Sequence, residues 1–112
     1  MELVNLILFV SDILFSIFLA GISVPLLRGR VKMNDLYGFR LRKAFESEEN
    51  WTAINRHGAR LFIQWSAVIA VVSLAALFIP EQLDPTAFAI LLLAPLLVVI
   101  PAIQTYFFAR DL

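Results

Sequence analysis

The sequence predicts an all-α integral membrane protein that crosses the bilayer three times, and three observations lead to this prediction. Of the 112 residues, 61% are hydrophobic and only 16% are charged, whereas soluble domains average about 45–50% apolar and about 25% charged residues. The apolar residues fall into three long runs. Eight of the nine Lys and Arg residues lie between Arg28 and Arg60, in the connection between the first two runs. A chain this small has too few polar residues to form a water-facing shell.

The first run extends over residues 3–27 and contains one charged side chain, Asp12. A helix rises about 1.5 Å per residue and the hydrocarbon core is about 30 Å thick, so about 20 apolar residues suffice to cross it. A cleaved signal peptide is the alternative, since Leu19-Ala20-Gly21 offers small residues for cleavage. The length of the run, and the lack of a basic residue before it, favour an uncleaved transmembrane helix.

The rest of the single membrane domain, residues 1–112, divides into a connection and two further spans. The connection, about residues 28–58, is expected to contain a structured loop and an amphipathic helix. The second span covers about residues 59–79 and the third about residues 86–109. Between them, Pro80-Glu81-Gln82-Leu83-Asp84-Pro85 predicts a short turn, because it holds two prolines and two acids. Such a turn makes the two spans antiparallel neighbours.

The basic residues also predict the orientation of the chain. Lys and Arg are retained on the cytoplasmic side of a membrane, so the connection is expected in the cytoplasm, with the N-terminus outside and the C-terminus inside. The alternative of a soluble helical bundle is disfavoured, because helices that are apolar on every face have no polar face to expose to water.

Asp12 is the most unusual residue of the predicted spans, because a carboxylate in hydrocarbon costs at least about 2.5–3.5 kcal/mol. Its depth corresponds to residues 70–73 on the second span and to Pro95 on the third. Pro95 leaves the Leu91 carbonyl without its helical donor, which a protonated Asp12 is able to replace. Three interpretations stay open: a group that titrates or contacts a ligand, a neutral acid hydrogen-bonded between helices, and a shallower acid that reaches headgroup water.

Two glutamines, Gln64 and Gln104, are the next polar groups within the spans. Each lies five residues from the loop-side end of its helix, so antiparallel packing sets them at one level with Ser23. We expect an interhelical amide hydrogen bond worth roughly 0.6 and up to about 2 kcal/mol; the alternative is a polar layer that binds substrate. Three prolines are expected to bend their helices or free a carbonyl: Pro25, Pro95 and Pro101.

An amphipathic helix is predicted after Ser47, which can cap its N-terminus ahead of two glutamates that suit the helix dipole. Apolar or small residues then recur every three or four positions and continue one face into the second span: Trp51, Ile54, Gly58, Leu61 and Trp65. On a polar stripe, Arg56 and Arg60 are able to meet phosphate headgroups. The helix is therefore either an interfacial anchor or a surface that binds a partner.

The connection also contains the run Asn34-Asp35-Leu36-Tyr37-Gly38-Phe39-Arg40, followed by Glu49-Asn50-Trp51 and Asn55-Arg56-His57-Gly58-Ala59-Arg60. This arrangement, between the first and second of three spans, resembles the SdpI family of bacterial membrane proteins. The positions that match the family pattern are Asn34, Gly38, Arg40, Trp51, Asn55, Arg56 and Gly58. Two positions depart from it: the family glycine comes one residue later, at Ala59, and a threonine often stands where this chain has Leu41.

The resemblance implies a multi-pass protein of the bacterial inner membrane. The best-known member of the family is longer, with additional helices; it protects a bacterium from its own secreted killing peptide and takes part in signalling by sequestering a repressor at the membrane. The seven matching residues are then candidates for a partner site. The physical alternative is a loop clamped by its own hydrogen bonds, in which Gly38 permits a left-handed turn and Arg40 offers a bidentate fork.

An enzyme is the least supported class, because the chain has no cysteine and its single histidine, His57, belongs to no cluster with metal-ligand spacing. No cofactor, metal or nucleic acid is indicated. The leading hypothesis is an SdpI-like protein of immunity or signal-transduction type, which binds another membrane protein or a peptide at the membrane. A structural accessory subunit of a larger membrane complex is one alternative, and a small proton-linked transporter or channel component is another. Membrane lipids are expected partners in each case, and a homo-oligomer is possible.

Overall fold

The computed structural model describes all 112 residues, and its only regular elements are helices. The elements are α1 (Leu3–Leu27), α2 (Glu48–Ala76), α3 (Asp84–Leu93) and α4 (Val99–Arg110), with 3₁₀ segments at Arg42–Glu46, Glu81–Leu83 and Ala94–Val98. Three helical rods are long and apolar enough to cross a membrane: Leu3–Leu27, Glu48–Ala76 and Glu81–Arg110. The predicted all-α architecture with three membrane-spanning helices is confirmed.

Helix α1 shows how side chains are distributed in a bundle that lipid surrounds. Most of its buried residues are polar, and they recur at intervals of three, four or seven positions: Asn5, Asp12, Ser16, Leu19, Ser23 and Leu26. Its exposed residues include large apolar side chains such as Leu14, Ile17 and Phe18. A helix on the surface of a soluble protein has the opposite distribution. Because lipid solvates apolar groups, α1 turns its polar stripe toward the other helices.

Helix α2 is the central helix of the bundle and is continuous over Glu48–Ala76. It packs along α1 and also contacts α3, α4 and the segment Arg42–Glu46. Its N-terminus is capped as expected, because Ser47 Oγ accepts a hydrogen bond from the Asn50 N–H at 3.0 Å. The amphipathic helix and the second span are therefore one unbroken helix, which ends three residues before the expected boundary at Ile79.

The third rod changes its winding at Pro95. A proline lacks the N–H donor of an α-helix, and its ring clashes with the preceding turn. The chain winds as a 3₁₀ helix over Ala94–Val98, and α-helical winding resumes at Val99. Pro25 lies inside α1 and Pro101 inside α4, and neither ends its helix. Of the three prolines expected to disturb a helix, Pro95 alone interrupts the α-helical winding.

The bundle measures 54 × 23 × 18 Å, and its two ends differ in construction. At the turn end, α1 begins and the segment Glu81–Leu83 joins α2 to α3. There the Met1 ammonium group lies 3.1 Å from Glu81 Oε1, and this carboxylate raises the pKa of the ammonium group. At the loop end, α1 ends, residues 28–47 connect it to α2, and α4 ends. The residues of the family-like pattern lie at the loop end.

Candidate functional site

At the loop end, α1 stops in a turn that sends the chain toward α2. The Arg30 N–H donates to the Pro25 carbonyl at 3.0 Å, and Gly29 has a φ of +68°. A left-handed residue just after a helix closes off the last carbonyls in this way. Arg56 of α2 covers the turn, since a Cβ built on Gly29 would lie 3.0 Å from a guanidinium nitrogen of Arg56. The end of α1 and the first turns of α2 are therefore in contact.

Residues 30–41, here called the motif loop, are organised by the side chain of Asn34. Its Oδ1 accepts hydrogen bonds from the N–H groups of Leu36 at 2.9 Å and Tyr37 at 2.7 Å. Its Nδ2 donates to the carbonyls of Lys32 at 2.7 Å and Tyr37 at 2.9 Å. These four bonds use the full hydrogen-bonding capacity of an asparagine side chain. Asn34 therefore holds a tight turn and has no bond left for a partner.

The motif loop is fixed to α2 through Gly38, Phe39 and Asn55. The Phe39 N–H donates to Asn55 Oδ1 at 2.6 Å, and Asn55 Nδ2 donates to the Trp51 carbonyl at 2.9 Å. Gly38 has a φ of +119°, and a Cβ at this position would lie 2.7 Å from Asn55 Oδ1 and 3.0 Å from the Trp51 ring. Both the backbone conformation and the available space therefore require glycine at position 38.

Trp51 supports the other end of the same loop. Its indole Nε1–H donates to the Val31 carbonyl at 2.8 Å, and its side chain is 1% exposed. It packs in a small core with Ala44, Ile54 and Ala109, which come from the 3₁₀ segment, α2 and α4. A buried indole ring packs against apolar side chains, and its N–H group holds the backbone carbonyl that accepts the hydrogen bond. Trp51 therefore joins the loop to two helices.

Gly58 lies one helical turn beyond the Asn55 contact and admits the ring of Phe39. A Cβ on Gly58 would lie 2.6 Å from the ring of Phe39, so no larger residue fits without movement. The same ring meets Phe62 edge to face, with centroids 4.9 Å apart. Glycine in this helix serves close packing, as it does between helices in membranes.

Three further contacts define the outer side of the motif loop. The Tyr37 hydroxyl donates to the Ile22 carbonyl of α1, and an Arg40 guanidinium N–H donates to the Asp35 carbonyl within the loop. Between these contacts Leu36 is 91% exposed. The loop is therefore bonded to both α1 and α2, while its tip presents an apolar side chain that is almost fully exposed.

A groove of about 210 Å³ lies beside the motif loop. Its lining comes from the last turns of α1, the motif loop and α2: Ile22, Ser23, Leu26, Tyr37, Gly38, Phe39 and Phe62. The groove is mostly apolar and opens next to the Tyr37 contact with α1. Its size and lining suit an aliphatic or aromatic side chain or part of an acyl chain.

The cationic and titratable residues of the pattern on α2 take no part in these internal hydrogen bonds. Arg56 and Arg60 are exposed, and the two ion pairs of the chain, Met1–Glu81 and Arg110–Asp111, do not involve them. The His57 ring stacks on Phe108 of α4, with centroids 3.9 Å apart and planes 7° apart. His57 thus packs between helices, and no three His, Asp or Glu side chains converge as metal ligands would.

Asp12 lies inside the bundle and is 3% exposed. Its Oδ2 accepts a hydrogen bond from Ser73 Oγ of α2 at 2.9 Å. Ser73 belongs to the stretch of α2 that the sequence places at the depth of Asp12, so the expected level is correct. The carboxyl group makes no hydrogen bond to the Leu91 carbonyl; the third rod instead adapts to Pro95 by 3₁₀ winding. Asp12 is therefore paired with a hydroxyl group of α2 and not with the Leu91 carbonyl of the third rod.

The expected hydrogen bond between Gln64 and Gln104 does not form. Both side chains are exposed, and neither makes a hydrogen bond in the structure. Two buried hydroxyl groups close to these glutamines in the sequence, Ser66 and Thr105, donate to the carbonyls of Ile63 and Pro101 in their own helices. Both helices turn these glutamines outward.

Asn5 is a further buried polar residue of α1, and it was not among the polar groups predicted inside the bundle. It is fully buried at the turn end, where its Nδ2 donates to the Asp84 carbonyl at 3.4 Å and its Oδ1 has no partner. Asn5 precedes Asp12 by seven residues, a spacing that places both on one face of α1. That heptad spacing is the signal that could have identified it.

The structure thus brings five residues of the pattern into one unit at the loop end: Asn34, Gly38, Trp51, Asn55 and Gly58. Arg40 and Arg56 lie at its exposed edge. A sequence model described as the SdpI/YfhL protein family matches residues 30–105, from the start of the motif loop into α4. Comparisons with curated proteins and with solved structures give no match.

Proposed function

The chain belongs to the SdpI/YfhL protein family, and from this premise we propose that it acts in immunity or signal transduction by binding a protein or peptide at the membrane. Binding, and not catalysis, is the proposed activity, and it needs no cofactor. The observation that supports this proposal most directly is the rigid motif loop. Its internal hydrogen bonds hold Leu36, which is 91% exposed, at a fixed position between α1 and α2.

A loop that is ordered before binding gives an affinity advantage. Ordering a flexible side chain or loop on association costs about 0.5–1.5 kcal/mol for each immobilised side chain. Asn34, Asn55 and Tyr37 already fix the loop through their hydrogen bonds. A partner that covers Leu36 therefore gains apolar contact without ordering the loop. In this proposal the inward-facing residues shape the site, and the residues they hold in place contact the partner.

The groove next to the loop tip supplies a second contact for the same partner. Ile22 and Leu26 of α1 and Phe62 of α2 give it apolar walls. A peptide lying along the membrane surface would place one apolar side chain in the groove and another against Leu36. Such an arrangement favours an amphipathic or hydrophobic peptide.

We propose that the protein lies in the bacterial inner membrane, with the loop end in the cytoplasm and the N-terminus outside. The excess of basic residues at the loop end supports this orientation. Because the chain has no cysteine, single-cysteine variants report it directly. In intact cells a membrane-impermeant maleimide is expected to label Leu83→Cys and to spare Leu36→Cys until the cells are permeabilised. Labelling of Leu36→Cys in intact cells would reverse the orientation.

The immunity role is tested by removing the protein from its host. Cells without it are expected to stop growing in culture fluid from the parent strain, and the wild-type chain should restore growth. Leu36→Ser, which leaves every loop hydrogen bond in place, is expected to restore it poorly, whereas Phe78→Ser, an exposed position at the turn end, should restore it fully. Normal growth of the deletion strain in that fluid would contradict the immunity role.

The binding step itself is tested by a photo-crosslinking amino acid at position 36 in native membranes. A transient adduct that appears when the culture fluid is added to membranes opened on both faces supports binding of the peptide at the cytoplasmic surface, which it reaches in cells after it has crossed the bilayer. A permanent adduct of fixed stoichiometry would instead assign the chain as an accessory subunit of a larger complex. The same amino acid at position 78 is the control and is expected to give no adduct.

A second candidate, a proton-linked transporter or channel component, is favoured by one observation, the buried Asp12–Ser73 pair between α1 and α2. Acids inside a membrane bundle often lie on proton paths. This candidate predicts proton flux in proteoliposomes with a pH-sensitive dye inside, and loss of the flux in Asp12→Asn with assembly intact. An equal dye response with and without protein would remove it.

A further inference from the structure

Four arginines come together where α1 ends against α2. The guanidinium group of Arg56 covers the turn at Gly29, whose chain neighbours are Arg28 and Arg30. Arg60 follows Arg56 by one helical turn on the same face of α2, about 6 Å further along the helix axis. All four side chains are exposed. The cluster thus combines two residues that directly follow α1 with two residues of α2.

None of these arginines is neutralised by an acid of the chain. Neither ion pair of the structure involves them. Glu48 and Glu49 line a shallow groove together with Arg56, but they form no ion pair with it and lie about two turns earlier on α2, on the side away from the span. Unpaired guanidinium groups that converge on one surface repel each other unless an anion lies between them. The cluster therefore favours an external anion.

The position of the four arginines relative to the edge of the hydrocarbon core indicates the source of that anion. Arg28 directly follows the last residue of a span, and the span marks the edge of the hydrocarbon core. Arg60 lies about one helical turn further into the span than Arg56. Its long side chain therefore has to extend back toward the surface to keep its charge hydrated. All four side chains are therefore able to reach the level of the lipid phosphates. A guanidinium group binds a phosphate with a bidentate fork.

We propose that Arg28, Arg30, Arg56 and Arg60 form a binding site for the headgroup of an anionic phospholipid at the loop end of the bundle. The site lies at the junction of α1 and α2, so a bound lipid holds the two helices together at the base of the motif loop. This goes beyond the binding of a protein or peptide partner and does not depend on it.

The test is native mass spectrometry of the whole protein, released from detergent with phosphatidylglycerol or phosphatidylcholine added. Each basic residue near an anionic lipid contributes about a fivefold change in affinity. The wild-type chain is expected to retain phosphatidylglycerol in preference to phosphatidylcholine. Arg56→Gln/Arg60→Gln should weaken phosphatidylglycerol binding about 25-fold. The control Arg42→Gln/Arg110→Gln removes the same charge elsewhere at the loop end and should change it less than about twofold.

Three outcomes would overturn the proposal. One is equal binding of both lipids by the wild-type chain. Another is an equal loss in the control variant, which would show diffuse attraction to the whole loop end. The third is unchanged binding in Arg60→Gln alone; Arg60 makes no hydrogen bond or ion pair in the structure, so this variant tests the site even where the double variant folds poorly.

Discussion

The loop end and the membrane interior of this bundle use their polar side chains in different ways. In the interior, Ser16, Ser23 and Thr105 each donate to a carbonyl four residues earlier in their own helix. One side-chain pair, Asp12 with Ser73, joins two helices there. At the loop end, the bonds of Tyr37, Phe39 and Trp51 connect residues 15 to 20 positions apart in the chain.

The two kinds of hydrogen bond differ in whether they fix the positions of neighbouring elements. A hydroxyl that bonds its own helix satisfies its polarity but does not fix the position of a neighbouring helix. A bond from Asn55 to the Phe39 backbone fixes both the rotation of α2 and the path of the loop. The loop end is therefore held by bonds between distant residues, whereas the interior is held mainly by apolar packing. Substitutions at the loop end are expected to cost more.

The largest effect is expected for Gly38→Ala. The positive φ at position 38 strains any other residue by about 1–3 kcal/mol, and the new Cβ meets Asn55 and Trp51, which adds a similar amount. The free energy of unfolding should fall by about 2–6 kcal/mol, measured by circular dichroism during unfolding in mixed micelles. Gly21→Ala is the matched control: a Cβ there meets nothing within 4 Å, and its helix should be unchanged or slightly more stable. Equal losses in both variants would remove the distinction between the two regions.

An intermediate effect is expected for Gly58→Ala, because its Cβ overlaps the Phe39 ring. Overpacking of this kind costs about 1–3 kcal/mol. The partner substitution Phe39→Leu removes the overlapping ring atoms, so the double variant should be more stable than the sum of the two single losses predicts. A double-mutant cycle of unfolding free energies measures this coupling. Strict additivity would show that Phe39 does not occupy the space at Gly58.

The smallest effect is expected in the interior, for Ser73→Ala. Hydrogen bonds between helices in membranes contribute on average about 0.6 kcal/mol, and Ser73 donates one such bond to Asp12. In a double-mutant cycle, Ser73→Ala should cost nothing when it is made in the Asp12→Leu variant, which lacks the hydrogen-bond acceptor. Gln64→Leu, at an exposed position without a hydrogen bond, is the control and should stay within about 0.5 kcal/mol of the wild type. A loss for Ser73→Ala larger than that for Gly38→Ala would reverse the comparison between the two regions.

Depth along a helix could be predicted from the sequence, because it depends only on counting residues from the end of a span. Counting placed Asp12 level with the stretch of α2 that contains Ser73, and the structure pairs these two residues. The same counting placed Gln64 level with Gln104 but did not give their direction around the helix axis. Gln64 precedes the buried Ser66 by two residues, which is about 200° around the helix, so it points outward.

The sequence predicts that the motif loop is structured, but it does not predict which residues the loop contacts. Turn-forming residues and the family pattern indicated a structured loop with Gly38 in a left-handed conformation, and its φ of +119° agrees. The partners of Asn55, Trp51 and Tyr37 lie 15 to 20 residues away along an irregular path. No helical or strand periodicity relates such positions, so their pairing becomes visible only when the chain has folded.

Because α2 is one unbroken rod, its contact with the loop and its contact inside the membrane belong to the same rigid element. Asn55, which holds the loop, and Ser73, which holds Asp12, are about 27 Å apart along its axis. A tilt of about 2° around Asn55 moves Ser73 by about 1 Å, which lengthens a hydrogen bond beyond its useful range. A rigid tilt of α2 at the loop would therefore change the distance between Asp12 and Ser73 inside the membrane.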